Sequence, residues 1–210
     1  MNINRGDMAQ FAESYPQEDF FMQQARKNGM ELGAHDPSAG VGSLIALLVR
    51  SCGATSIVEV GTGSGVGGLW IFKGADSSAV LTSIDSEREH AASAKEFFEE
   101  AGISSQRFRL ITGRAIDVAR KLADTNYDLM IVRSPEDIVD VVQESYRLLT
   151  ERGVLIIDNA LDGGRVADPT QRDFQTIARR DAVKSIKDDS RWQSTLIPFG
   201  GGILIAIKSA

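Results

Sequence analysis

The stretch that decides the fold is Ser56-Ile-Val-Glu-Val-Gly-Thr-Gly-Ser-Gly-Val-Gly-Gly68, in which a short β-branched run leads directly into a glycine-rich turn. Leu69–Phe72 continues the helix expected after that turn. Glycines leave backbone N–H groups open to a ligand, and a helix that follows them directs its positive end toward the same gap. The stretch therefore predicts a strand, a turn that binds a polar or anionic group, and a helix.

The same alternation of strand and helix continues toward the C-terminus. Apolar runs predict further strands at 80–84, 108–111, 129–132 and 154–157, with helical patterns between them. The runs 194–198 and 203–207 flank Phe199-Gly-Gly-Gly202 and predict an antiparallel hairpin. This order predicts an α/β fold with a mostly parallel sheet and helices on both faces.

Helical patterns at 19–28 and 41–51 precede the first strand. The chain has no repeat, linker or low-complexity tract. We therefore expect one domain, 1–210, with an N-terminal helical cap (1–53) and a cofactor-binding core (54–210).

Composition limits the function classes. The chain has 210 residues, 42% of them hydrophobic, and a net charge of −6, which argues against nucleic-acid and anionic-membrane partners. Its single cysteine, Cys52, excludes an intrachain disulfide and suits a reducing compartment. With no apolar run of about 20 residues and no signal-peptide layout, we expect a soluble, cytoplasmic protein.

Asp85 follows the second predicted strand, at the distance from the glycine turn where a carboxylate accepts hydrogen bonds from a ribose diol. Its structural alternative is an N-cap for the helix that begins at Ser86. Gly63–Gly68 also matches G-x-G-x-x-G, which leaves an NAD(P)-dependent oxidoreductase as an alternative function. Glu59 places a carboxylate beside the turn, where it would repel a pyrophosphate. The pattern therefore favours a nucleoside cofactor without a pyrophosphate.

Four elements carry a resemblance to a known family: Glu59-Val-Gly-Thr-Gly-Ser-Gly65, Asp85, Gly113-Arg-Ala115, and Ile157-Asp-Asn-Ala-Leu-Asp-Gly-Gly-Arg-Val166. Together they resemble the catechol and caffeoyl-CoA type O-methyltransferases, which are class I enzymes dependent on S-adenosylmethionine. The resemblance implies a seven-stranded Rossmann-like sheet, S-adenosylmethionine as cofactor, a small-molecule acceptor and a homodimer.

The resemblance also assigns cofactor contacts. It implies that the glycine turn holds the methionine part of the cofactor, Asp85 the ribose, and the turn of Gly113, Arg114 and Ala115 the adenine. The candidate cofactor residues before Asp85 are Glu59, Gly61, Thr62, Gly63, Ser64, Gly65 and Gly67. Gly67 stands where family members often carry Ser or Thr to hold the cofactor carboxylate.

Two further positions depart from the family pattern. The family binds a divalent cation with residues at two strand ends; Asp158 and Asn159 match the second, and they are the metal ligands if a site persists. At the first, Tyr127-Asp-Leu-Met-Ile-Val-Arg-Ser-Pro-Glu136 carries Arg133 in place of a metal-binding Asp and Glu136 in place of a Lys. A unit charge pair at 4 Å is worth about 4 kcal/mol at an effective dielectric near 20, so Arg133 strongly disfavours Mg²⁺.

We therefore expect an absent or very weak Mg²⁺ site. In its place we expect the Arg133 guanidinium to pair with Asp158 and attract an acceptor oxygen. The candidate catalytic residues are Asp158, Asn159, Arg133 and Glu136, with Arg133 also a candidate cofactor contact.

The resulting hypothesis is methyl transfer from S-adenosylmethionine to a hydroxyl, for example a phenolic one. A protein of the same fold that binds the cofactor without catalysis is the alternative. We expect His35 and His90 to be surface or capping residues rather than bases. We leave Trp192 and Phe199 open between a pocket wall and a core or dimer contact.

Overall fold

A computed structural model describes residues 5–209 of the chain. The helices are α1 (Arg5–Ser14), α2 (Phe20–Leu32), α3 (Ala39–Cys52), α4 (Val66–Gly74), α5 (Arg88–Glu100), α6 (Ala115–Ala119), α7 (Ile138–Leu148) and α8 (Phe174–Lys187). The strands are β1 (Ser56–Val60), β2 (Val80–Asp85), β3 (Phe108–Thr112), β4 (Tyr127–Val132), β5 (Leu149–Asp158), β6 (Trp192–Ile197) and β7 (Ile203–Lys208). Two 3₁₀ segments, Ser105–Arg107 and Asp162–Ala167, complete the regular structure of the described residues.

The strands form one sheet in the order β3-β2-β1-β4-β5-β7-β6. The first five in that order are parallel, while β7 is antiparallel to both β5 and β6. The predicted seven-stranded, mostly parallel sheet with a C-terminal hairpin is confirmed. The strand order reverses between β1 and β4, and such a reversal opens a ligand crevice at the carboxyl ends of the two strands.

Within the central strands, apolar residues follow one another without alternating with polar ones, because the sheet is covered by helices on both faces. Along β1, Ile57 joins the core cluster under α3, α4 and α5, whereas Val58 and Val60 join the cluster under α6, α7 and α8. No helix of the described residues is long and apolar enough to cross a membrane.

Several predicted boundaries were wrong. Residues 29–32, expected in a loop, continue α2 to Gly33, whose left-handed backbone (φ 69°) ends the helix. The helical pattern after the third predicted strand runs from Ala115 to Leu122, but α6 ends at Ala119, and β5 begins at Leu149 instead of Val154. Helix α1 was not predicted, because its apolar spacing is weak.

Phe98 on α5 connects the core to the glycine-rich segment. Its fully buried ring packs edge-on against Phe72 and Phe108. A Cβ at Gly68 would lie 2.2 Å from Phe98 Cζ, so this glycine lets α4 approach α5 closely. Phe98 thus sets the position of α4 at the end of β1.

We predict that Phe98→Ala lowers the free energy of unfolding by about 3–5 kcal/mol, because it leaves a cavity under α4. Phe174→Ala is the matched control: that ring is 82% exposed, so the loss is within about 0.5 kcal/mol. Urea unfolding followed by circular dichroism measures both values. Equal stabilities of the two variants would contradict this description of the core.

Candidate active site

The turn after β1 is left-handed at three of its glycines. Gly61, Gly63 and Gly65 have φ values of 96°, 55° and 101°, which side chains rarely adopt. Close packing adds a second requirement, since a Cβ at Gly63 would lie 2.6 Å from Asp36 Oδ1 and one at Gly65 would lie 2.8 Å from Ala94 Cα. The space that side chains at Gly63 and Gly65 would need is therefore occupied by Asp36 and Ala94 of the protein itself, which the sequence pattern did not show.

Asp36 is a site residue that sequence reasoning missed. Its Oδ1 accepts a hydrogen bond from the Ser64 N–H at 3.1 Å, and its Oδ2 accepts one from Ser64 Oγ at 2.6 Å. The Arg26 guanidinium supports the same loop by donating to the Pro37 carbonyl at 2.7 Å. The helical cap is thereby attached to the glycine turn. Only the tertiary structure reveals this contact, because 28 residues separate its partners.

Asp85 lies at the mouth of the turn. Its Oδ2 accepts from the Gly63 N–H at 3.0 Å, and its Oδ1 accepts from the Glu87 N–H at 3.0 Å. His90 Nδ1 is 3.2 Å from the same Oδ1. The N-cap of α5 is Glu87, so the capping alternative for Asp85 is wrong. The expectation for His90 is corrected as well, since it is half-buried in the site and lies beside Asp85.

A buried ionic cluster occupies the crevice between β1, β4 and β5. The Arg133 guanidinium donates through Nη1 to Glu59 Oε1 and, at 3.2 Å, to the Gly61 carbonyl. Arg133 Nε lies 3.5 Å from Asp158 Oδ2, which places the predicted partner of Asp158 beside it. Glu59 Oε2 also accepts from Ser83 Oγ at 2.6 Å. The side chains of Arg133, Glu59 and Asp158 are 4%, 0% and 9% exposed, so water screens this cluster little.

Burial and charge pull the pKa values of this cluster in opposite directions. Burial raises the pKa values of Glu59 and Asp158 above their ordinary ranges, although the charge of Arg133 opposes the shift. Burial alone would lower the pKa of Arg133, but the two facing carboxylates raise it above its ordinary value. Arg133 is therefore a permanent cation in the crevice.

Gly67 and Arg133 are structurally coupled. A Cβ at Gly67 would lie 2.3 Å from Arg133 Nη2 and 2.5 Å from Arg133 Cζ. The guanidinium thus occupies the space that a Ser or Thr side chain at position 67 would need. Two of the three departures from the family pattern, Gly67 and Arg133, therefore meet at one point in space, and each is compatible with the other.

The predicted metal ligands face cations. Asp158 Oδ1 accepts from the Asn159 N–H at 2.7 Å, and a Cβ at Gly201 would lie 2.0 Å from Asn159 Oδ1, so that amide oxygen points to the hairpin loop. Arg133 lies on one side of Asp158, and Arg179, whose Nη1 is 3.4 Å from the Asp158 carbonyl, lies on another. Within residues 5–209, no three His, Cys, Asp or Glu side chains form a group suited to a metal ion. The surroundings of Asp158 do not fit a divalent cation.

The remaining predicted residues lie at the rim of the site. Glu136 is exposed and borders the crevice, and its N–H donates to Ser134 Oγ at 3.2 Å. The Gly113 N–H donates to the Asp85 carbonyl at 2.8 Å, so the predicted adenine turn lies beside the predicted ribose ligand. Arg114 is exposed and forms a two-pronged ion pair with Asp137, both bonds being 2.7 Å.

Two cavities meet at His35 and Arg133. One of about 270 Å³ is lined by Gly61, Gly63 and Asp85 among others, and we name it the turn cavity. One of about 230 Å³ is lined by Asp158, Asn159 and Arg179 among others, and we name it the Asp158 cavity. His35 lies where the two spaces join, and its side chain is exposed, as expected for a surface residue.

The two aromatic residues left open both pack against the core, and neither lines the turn cavity or the Asp158 cavity. Trp192 is buried and packs edge-on against Tyr146, so it belongs to the core. Phe199 reaches Gly40, where a Cβ would lie 2.4 Å from its ring, and it thereby supports the start of α3 near the Asp158 cavity.

The fold is of the α/β class with two cavities at the crevice where the strand order reverses, and comparisons with known proteins define the family. The O-methyltransferase family model matches residues 12–209. A Mycobacterium avium protein named "Putative O-methyltransferase" is 43% identical over 198 residues, which cover 94% of this chain and 89% of that protein. The chain belongs to the O-methyltransferase family and is an enzyme of the methyltransferase class. This membership decides against the nicotinamide-dependent alternative.

Solved structures agree with this assignment. A crystal structure from Corynebacterium glutamicum has a TM-score of 0.89 and 32% identity, covering 99% of this chain and 98% of that one. The O-methyltransferase TomG from Streptomyces achromogenes, involved in tomaymycin synthesis and crystallised with S-adenosylmethionine, has a TM-score of 0.84 and 26% identity, covering 96% of this chain and 95% of that one.

We predict that Arg133→Met lowers the free energy of unfolding by about 3–5 kcal/mol at neutral pH, because it leaves the Glu59 charge buried without its partner. The deficit shrinks as the pH falls, since the raised pKa of Glu59 allows protonation to remove that charge. Urea unfolding across pH measures both effects.

The double variant Glu59→Gln/Arg133→Met recovers much of the loss, because it removes the unpaired charge. Arg114→Met is the control, and we expect a much smaller change because its ion pair is exposed. A single Arg133→Met variant as stable as the wild type would contradict a structural role for the pair.

Proposed function

We propose that this enzyme transfers the methyl group of S-adenosylmethionine to a hydroxyl oxygen of a small-molecule acceptor. The observation that carries the proposal is the glycine turn with Asp85 at its mouth, located where the strand order reverses. Family membership and the S-adenosylmethionine bound to TomG support the same cofactor. When bound, this cofactor supplies an electrophilic methyl group on a positively charged sulfur.

The residues of the turn cavity fit such a cofactor. Asp85 is held in place by two backbone N–H groups and His90. A carboxylate offers about four acceptor sites, so a ribose diol at Asp85 replaces the His90 contact and leaves the backbone contacts intact. The turn of Gly113 and Ala115, which bonds to the Asp85 carbonyl, would hold the adenine. Asp85, Glu87 and Glu136 line the turn cavity against the single guanidinium of Arg133, so the net negative charge of the lining favours a cationic ligand.

The Asp158 cavity holds the acceptor in this proposal. Asp158 combines burial, a raised pKa and a position next to Arg133, so its carboxylate is suited to accept the acceptor's hydroxyl proton. Arg133 keeps Asp158 oriented and supplies positive charge near the oxygen that loses its proton. Glu136 is exposed at the rim, which makes it the weaker base candidate.

We further propose that the reaction proceeds without a divalent cation. Two guanidinium groups adjoin Asp158, and Arg133 is fixed there by Glu59. Displacing that guanidinium to admit Mg²⁺ would leave Glu59 buried and unpaired. The chain therefore provides its own cation at this point. The homodimer, the phenolic nature of the acceptor and the cytoplasmic location stay predictions.

We predict that S-adenosylhomocysteine raises the melting temperature of the protein, whereas NAD(H) and NADP(H) do not. Asp85→Asn weakens S-adenosylhomocysteine binding roughly tenfold or more, because a charged acceptor is lost. Asp188→Asn, an exposed change at the end of α8, is the matched control and leaves the affinity unchanged. Isothermal titration calorimetry measures the affinities, and equal affinities for both variants would remove Asp85 from the site.

We predict that methyl transfer persists in EDTA and that titration calorimetry detects no saturable Mg²⁺ binding, because Arg133 occupies the cation's position. Transfer from radiolabelled S-adenosylmethionine to a panel of phenols, with and without EDTA, measures the first effect. Activity that disappears in EDTA and returns with Mg²⁺ would overturn the metal-free proposal. Normal cofactor affinity with no transfer to any phenol would instead overturn the phenolic acceptor.

A further inference from the structure

Arg179 on α8 is a buried cation to which the proposed reaction assigns no role. It lies behind the ends of β4 and β5, with Nη1 3.4 Å from the Asp158 carbonyl and Nη2 3.4 Å from the Arg133 carbonyl. Both contacts are long for charge-assisted hydrogen bonds. The residue is 4% exposed, and its Nε has no hydrogen-bond partner. A buried guanidinium so weakly bonded is costly unless a ligand completes its contacts.

The charge of Arg179 is poorly balanced. Its nearest carboxylate oxygen is Asp162 Oδ1, 4.0 Å from Nε. Asp162 is already engaged by Arg165, at 2.9 and 3.0 Å, and by Thr176 Oγ1 at 2.5 Å. Burial lowers the pKa of Arg179 below its ordinary value. The pKa of Arg133, in contrast, is raised by its facing carboxylates despite burial. Arg133 thus has a hydrogen-bonded carboxylate partner in Glu59, whereas the hydrogen bonds of Arg179 go only to backbone carbonyls.

Arg179 lines the Asp158 cavity together with Arg133, whose Nε and Nη2 also have no hydrogen-bond partner. Carboxylates face this space too. Asp158 is paired with Arg133, Asp36 is bonded to Ser64, and Glu13 of α1 lies near Gly40 with both oxygens buried. None of these three carboxylates lies within 4.0 Å of the Arg179 nitrogens, and the one carboxylate of the described residues that does, Asp162, is at that limit. The Arg179 side of the cavity is therefore where an anionic group is favoured.

We propose that the acceptor is a hydroxy acid, whose carboxylate binds the Arg179 guanidinium while its hydroxyl faces Asp158. This inference rests on the proposed function and names its substrate class. A carboxylate matches the planar guanidinium edge and completes the donors left without partners. Asp158 and Arg133 then lie next to the hydroxyl of the acceptor, while Arg179 lies next to its carboxylate in the same cavity. Arg179 is a binding residue in this arrangement and takes no part in proton transfer.

The test uses matched probes: 2-, 3- and 4-hydroxybenzoate and the corresponding hydroxybenzamides, which have similar shape without the charge. Each is titrated into the wild-type complex with S-adenosylhomocysteine, and the affinities are compared. At least one hydroxybenzoate binds roughly 10- to 100-fold more tightly than its amide, the range expected for hydrogen bonds to a charged group. Arg179→Met abolishes that preference, and Arg179→Lys keeps part of it.

Arg165→Met is the control variant, because Arg165 belongs to the same ionic cluster through Asp162 but does not line the cavity. It retains the carboxylate preference. A preference that persists in Arg179→Met, or no preference for any carboxylate in the wild type, would overturn the inference.

The fold and cofactor affinity of each variant are checked by its melting temperature and by S-adenosylhomocysteine binding. If Arg179→Met does not fold, the ratio of carboxylate to amide affinity is compared between the wild type and Arg179→Lys. An unchanged ratio in Arg179→Lys would then contradict the inference. If the wild-type protein does not bind S-adenosylhomocysteine, the proposed function is contradicted. If it binds S-adenosylhomocysteine but shows no carboxylate preference, only the present inference is contradicted.

Discussion

The buried ion pair between Arg133 and Glu59 is the constraint on which the rest of the site depends. It joins the ends of β1 and β4 where the strand order reverses, and Arg133 reaches Asp158 at the end of β5. Removing two charges from water is costly, so the pair is tolerated because Ser83 and the Gly61 carbonyl provide further hydrogen bonds. Gly67 must lack a side chain because the Arg133 guanidinium of this pair occupies the space that a Cβ would need.

This arrangement supplies positive charge differently from a bound metal ion. A guanidinium carries one charge, is part of the chain and is present at every pH at which the protein is folded. A divalent ion carries twice the charge and polarises two oxygens at once, but it must be acquired from solution. In the proposed reaction, Arg133 therefore supplies a weaker but permanent positive charge, and removal of the hydroxyl proton depends more on Asp158.

The N-terminal helical cap (1–53) borders the crevice on the side opposite the Arg133–Glu59 pair and fixes the loop next to the glycine turn. Arg26 donates to Glu18 at 2.8 Å and to the Pro37 carbonyl, and Glu18 also accepts from the Trp70 indole at 3.2 Å. These bonds fix the loop that carries His35 and Asp36, and Asp36 in turn holds Ser64 in the turn. The two cavities meet at this loop, so the cap shapes both binding spaces at once.

The sequence by itself determined the sheet, its hairpin and the positions of the glycine turn and Asp85, because hydrophobic periodicity and turn chemistry are local signals. It also marked Arg133 as a substitution at a strand end and led to its predicted pairing with Asp158. Only the tertiary structure decided that Arg133 is held chiefly by Glu59, that Gly67 makes room for it, and that Asp36, His90 and Arg179 enter the site. These contacts join segments far apart in the chain, and no local pattern encodes which distant side chain fills a given space. The end of α2 was misplaced for a related reason: Gly29 lies inside the helix, where its missing Cβ leaves room for Asp36, whose Oδ2 is 2.2 Å from where a Cβ would be.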